Sequence, residues 1–262
     1  MRTRKINPRS IADRIRRVLK NGGSGRHGKE VQRFFQEEIQ SRGWYTAELR
    51  RVAGDFRRYI LREAGQDFLV KVADDLFSGD VLEHKVFAVC LLETLADEFG
   101  DAEFELFQKW LARISSWADH DAVVHYLIAS MIRARPARAR VVFRWAKSPD
   151  RWHRRASCVA LIQGTRKKMF FPEITRLSQV LLLEEDEIVQ KGLGWLLRET
   201  TKFNTRRAVP YLMKIRKVAP RLVLRTACET LPPAVRQTVL ETNQSKIRRP
   251  ARVLSYPKSL KR

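Results

Sequence analysis

Cysteine is scarce in this chain. Three occur in 262 residues, and Cys90, Cys158 and Cys228 lie 68 or more residues apart. An odd, scattered set supplies neither a disulfide framework nor a cysteine-based zinc site. Long apolar runs are missing as well, since no stretch approaches the roughly 18 uninterrupted apolar residues of a membrane helix. The basic start Met-Arg-Thr-Arg-Lys is not followed by the apolar run and small-residue cleavage site of a secretory signal. Together these absences predict a reduced, cytoplasmic protein. Alternating strand patterns, a Walker loop and an HExxH pair are also lacking. His120 and His125 are five apart, a poor spacing for two metal ligands on one helix face.

Acid is in deficit. Against 52 Lys and Arg stand 29 Asp and Glu, for a net charge of +23. Residues 244–262 carry seven bases and no acid, and residues 1–42 carry 12 bases and four acids. The remaining +8 is spread over the middle, so the charge is not a tail effect alone. Such a balance suits a partner of repeated phosphates, whose neutralisation releases counterions. A chain that is 44% hydrophobic can still bury a sizeable core.

Apolar residues recur at helical spacing along the whole chain. Helices are predicted over 8–20, 29–42, 46–63, 66–77, 82–99, 101–114, 119–133, 136–147, 149–164, 170–183, 186–202, 206–217, 220–229 and 232–242. Glycine or proline clusters separate many of them. Ser148-Pro149-Asp150 reads as a helix start with a capping hydroxyl and Pro at the first position. Short helices in series predict stacked helical pairs with a period of about 35–47 residues, as in HEAT-type arrays. Residues 1–243 are expected to form one such all-α array, an α-solenoid with a basic concave groove. Residues 244–262 are expected to be a flexible basic tail.

Three places depart from core patterning. In residues 115–124, Trp117 and Asp121 share a helix face that Val124, Ile128 and Met131 continue. Asp121 is there either as a first-turn acid favoured by the helix dipole or as a carboxylate held in a groove. In residues 151–157, Trp152, Ala156, Val159 and Ala160 make a core stripe. Arg151 and Arg155 lie along its flank, as a solvated face or as groove contacts. In residues 188–199, Val189, Leu193, Leu196 and Thr200 face the core. Trp195 points away from them, with Lys191, Arg198 and Lys202. It either packs on a neighbouring helix or forms an aromatic wall beside a phosphate strip. Asp121 to Arg155 is 34 residues and Arg155 to Trp195 is 40, close to one repeat each, so the three are expected to line one groove.

On these residues the chain resembles the DNA alkylation repair family of HEAT-like-repeat DNA glycosylases. The resemblance rests on Trp117-Ala118-Asp119-His120-Asp121, on Trp152-His153-Arg154-Arg155-Ala156 and on the block from Val189 to Glu199. It extends weakly over residues 10–240. It implies hydrolysis of the N-glycosidic bond of N3- and N7-alkylated purines in double-stranded DNA, by a monomer without metal or cofactor, in the cytoplasm at the nucleoid. It also implies a catalytic cleft of Trp117, Asp121 and Trp195, with Arg155, or Arg154 beside it, holding a phosphate. Arg151, Lys191, Arg198 and Lys202 complete the expected DNA contacts. Where some members place a tyrosine in the second helix, this chain has Phe34, which removes a hydroxyl contact to DNA. A catalytically silent HEAT-like DNA-binding or scaffold protein is the alternative. Such a protein has no reason to keep an acid in a phosphate groove.

Overall fold

A computed structural model of the chain describes residues 7–241, and the basic segment 244–262 lies outside the described residues. Helices α1 (Pro8–Gly22), α2 (Gly25–Gln32), α3 (Thr46–Phe77) and α4 (Leu82–Leu92) open the chain. Next come α5 (Asp101–Trp110), α6 (Trp117–Asp121), a π-wound segment (Ala122–Ile128) and α7 (Ala129–Ala134). Then follow α8 (Val141–Trp145), α9 (Arg151–Val159), α10 (Ile162–Thr165) and α11 (Phe171–Val180). Helices α12 (Glu187–Phe203), α13 (Thr205–Ile215), α14 (Arg221–Ala227) and α15 (Pro233–Leu240) close it. Among the described residues the one β-bridge is Gln40 with Val81. The architecture is all-helical and α-solenoid-like, as the periodicity predicts.

The stacking order explains the spacing. Helix α4 packs on α6 and the π-wound segment, these pack on α9, α9 packs on α12, and α12 packs on α14. These inner helices start at Leu82, Trp117, Arg151, Glu187 and Arg221, at intervals of 35, 34, 36 and 34 residues. Helices α5, α8, α11, α13 and α15 alternate with them and pack behind. The inner helices from α4 to α12 are covered on both flanks, so their apolar surface is wider than a single stripe. The continuous core that results includes Phe77 stacked on Trp110 at 4.2 Å, with Phe99 and Phe107 beside them. Burial of each such side chain contributes about 1.5–3 kcal/mol.

Local departures from the predicted helices have identifiable causes. The two helices expected at 46–63 and 66–77 abut across Gly65, whose φ of 81° only glycine adopts freely. Asp150, not Ser148, caps α9, with its side chain accepting from Trp152 N at 3.0 Å, while Ser148 Oγ accepts from Asp150 N. The helix expected over 29–42 stops at Gln32. Glu83 of α4, buried, accepts from Ser41 Oγ at 2.7 Å and from the backbone N of Arg42 and Gly43, both at 2.8 Å. That carboxylate satisfies the segment's backbone in extended form, and tertiary hydrogen bonding overrides the local helical spacing. The Gly23-Ser24-Gly25-Arg26-His27-Gly28 stretch has the glycine spacing of a dinucleotide loop. It follows helix α1 rather than a strand, so that context is absent.

Candidate active site

Asp119, not Asp121, is the acid that starts α6. Its carboxylate accepts from Ser116 N at 2.7 Å and Ser115 N at 2.9 Å, and pairs with buried Lys85 at 3.1 Å. The helix therefore begins at Trp117, two residues before the predicted start, and Asp121 is released from capping. Beyond Asp121 the chain takes a π turn, in which Ala129 N donates to Val124 O. Such wider turns accompany functional sites and re-aim side chains.

Asp121 is held by two neighbours. Arg155 of α9 grips it in a bidentate pair, Nε to Oδ1 at 2.9 Å and Nη2 to Oδ2 at 2.7 Å. His120 Nδ1 lies 2.7 Å from Oδ1, and its Nε2 reaches Trp152 O at 3.0 Å. Three of the roughly four lone-pair sites of the carboxylate are thus engaged, leaving one on Oδ2. Burial pushes the Asp121 carboxyl up, but the Arg155 charge and the hydrogen bonds from His120 and Arg155 outweigh it and hold it at about 2.

The site expectation for Arg155 changes in one respect. Its side chain is 7% exposed, because α9 lies between α6 and α12 and has no free flank there. Its third nitrogen donates to Ile188 O at 2.6 Å. All of its reach is spent inside the protein, as a clamp on Asp121 and not as an outward cation. Gly192 leaves room for this side chain, since a Cβ there would stand 3.2 Å from Arg155 Cγ, a tight contact. Gly194, two residues on, lets α12 approach α14, where a Cβ would meet Thr226 Cβ at 2.8 Å.

A cleft of about 510 Å³ opens beside Asp121. Its walls include Phe34, Phe35, Trp117, His125, Tyr126 and Trp195. Trp117 is 36% exposed, with Phe35 stacked on it at 4.8 Å and its Nε1 donating to Phe34 O at 3.3 Å. One face of this indole is therefore already covered. Trp195, half-buried, stacks on His125 with ring centroids 5.4 Å apart. It belongs to the cleft wall and also packs against the core, so the two readings of it were not exclusive. It sits one turn beyond the position equivalent to Asp121 and Arg155, which are each the fifth residue of their inner helix. In α12 that position is Lys191.

The remaining expected DNA contacts are mostly engaged. Arg154 pairs with Glu184 at 2.7 Å and donates to Ser148 O and Pro149 O. Arg151 pairs with Asp186 at 3.3 Å, Lys191 with Glu187 at 2.8 Å, and Arg198 with Glu229 at 2.9 Å. Lys202 lies over the Phe203 ring at 5.3 Å. In the sequence His120 and His125 stand only as a poorly spaced metal pair or, for His120, within the block around Asp121, and Phe35 and Tyr126 are not marked as cleft residues. The adjacency of His120 to Asp121, and the four-residue step from Asp121 to His125, were the signals available.

The model of the DNA alkylation repair enzyme family matches residues 15–231, and the chain belongs to that family. Among solved structures the fold is similar to a protein described as a predicted DNA alkylation repair enzyme from Enterococcus faecalis. The TM-score is 0.72 at 15% identity, covering 82% of this chain and 99% of that one. No curated protein matches the sequence.

Proposed function

We propose that this protein is a DNA glycosylase that hydrolyses the N-glycosidic bond of cationic N3- and N7-alkylated purines in double-stranded DNA. The observation that carries the reading is a carboxylate held ionised, at about 2, inside an aromatic-walled cleft. An alkylated purine already bears positive charge and leaves readily. Breaking its bond generates an oxocarbenium-like sugar, which a fixed anion stabilises. Asp121 is too weak a base to take a proton from water, but its free Oδ2 site can orient one. Arg155 and His120 keep the carboxylate in place through the reaction, so that little reorganisation accompanies bond breaking. The Trp117 and Trp195 rings that line the cleft attract the electron-poor lesion. Neutral lesions such as uracil or hypoxanthine, poorer leaving groups, should remain in the DNA.

Exposed Lys202, Arg206 and Arg225 offer cations for phosphates, and the ion-paired Lys191 and Arg198 can exchange acid partners for phosphate. The recurrence of inner helices every 34–36 residues supports reading the array as HEAT-like repeats. The test is base release from methylated duplex DNA by Asp121→Asn. The variant should keep its DNA affinity yet lose at least about 100-fold in rate, the scale of one preorganised electrostatic group. Near-normal release would exclude the role given to Asp121. No release by the unaltered protein would favour a catalytically silent DNA-binding protein.

A further inference from the structure

His125 is a titratable group of the cleft that the proposed chemistry leaves unused. It lies one turn from Asp121 along the π-wound segment, stacked on Trp195 and edge-on to Tyr126 at 5.1 Å. Its Nδ1 is buried with no hydrogen-bond partner, and its backbone carbonyl is taken by Gln163 at 2.7 Å. A proton on that buried nitrogen would be an orphaned donor, which costs more than a bare lone pair. The hydrogen of the neutral ring therefore sits on Nε2, the other nitrogen of a residue that lines the cleft. The charged groups facing the ring are Asp121 on α6, Glu199 on α12 and Arg166 after α10, with Tyr126 beside it. Burial, the largest influence, pushes the imidazole below its ordinary 6.5.

We propose that His125 Nε2–H is a catalytic hydrogen-bond donor to the purine being expelled. This inference rests on the glycosylase reading and assigns a second half to it. When the C1′–N bond breaks, both electrons go to the base. A water oxygen bonds to C1′, and the water's proton passes to solvent. The sugar gains positive charge while ring nitrogens and carbonyl oxygens of the base become better acceptors. Asp121 answers the first change and a fixed N–H answers the second, without transferring its proton. The hydrogen bond strengthens on the way to the transition state, which is the condition for accelerating the step.

His125→Phe keeps a ring on Trp195 and removes the donor. With melting temperature and affinity for undamaged duplex unchanged, single-turnover release of 7-methylguanine should fall about tenfold, the worth of one hydrogen bond. His125→Gln, whose amide retains a donor, should recover part of the rate. A readout independent of activity is Trp195 fluorescence, because a stacked imidazolium quenches indole emission. The unaltered protein should show a quenching step below pH 6.5 on acidification, absent from His125→Phe and from Trp195→Phe. No quenching step in the unaltered protein, or a folded His125→Phe protein as fast as the unaltered one, overturns the inference alone. An unaltered protein that releases no base overturns the glycosylase reading and this inference with it.

Discussion

Replacing Arg155 by Met separates two roles that the same arginine can be given. Methionine approximates the length of the stem and removes the guanidinium. Asp121 is then left with His120 and without the Arg155 charge, in a site where its side chain is 19% exposed. Breaking a buried pair by removing one partner costs about 3–5 kcal/mol, which for a chain of this size lowers the melting temperature by roughly 10 °C. The sign with pH follows from the pair. In the unaltered protein the folded carboxyl sits at about 2 against an ordinary 3.8, so this group's contribution, about 2 kcal/mol, is present above pH 3.8 and is lost as pH falls through 2. In Arg155→Met burial acts with less opposition and the carboxyl rises. The stability gap to the unaltered protein should therefore be widest near pH 7 and narrow toward pH 4, where the variant's Asp121 protonates. The acid limb of base release should move up with it. Urea unfolding at pH 7 and pH 4, with 7-methylguanine release followed across the same range, measures both. If Arg155 instead grips a phosphate in the working complex, the variant would remain stable at pH 7. Its affinity for undamaged duplex would fall and its salt slope would lose about one unit. That outcome would refute the clamp.

Trp195→Ala should cost about 1–3 kcal/mol of lesion-specific stabilisation and leave binding to undamaged DNA nearly unchanged. A variant that melts lower but releases 7-methylguanine normally would reduce Trp195 to packing. Gly194→Ala brings a methyl to 2.8 Å from Thr226 Cβ and should lower stability by about 1–3 kcal/mol through overpacking. Thermal unfolding at the unaltered melting temperature would contradict that close approach. Duplex binding should weaken steeply with salt, with log K against log salt sloping near −5 if about six phosphates are contacted. Removing residues 244–262 should reduce affinity without altering which lesions are released.

The sequence by itself determined what depends on neighbours along the chain. Helical spacing is a local signal, and it placed nearly every inner helix, because apolar residues three and four apart must share a face wherever that face is buried. The excess of 52 bases over 29 acids needed no structure to suggest a polyanion. The blocks around Asp121, Arg155 and Trp195 were legible from residue types and a spacing near one repeat.

What only the tertiary structure decided depends on which helix lies against which. A helical wheel assigned Arg155 to a flank of α9, but both flanks are covered by α6 and α12, so the guanidinium turns inward to Asp121. The low pKa of that carboxyl comes from a partner 34 residues away and a histidine whose second hydrogen bond crosses to Trp152 O. The π turn after Asp121, which sets the place of His125, has no spacing signature in its own residues. The segment after Gln32 reads as helix until buried Glu83 gathers its backbone donors. Periodicity records which face of a helix is apolar. It does not record the neighbour that face meets, and the charge, tautomer and reach of a buried polar group are set by that neighbour.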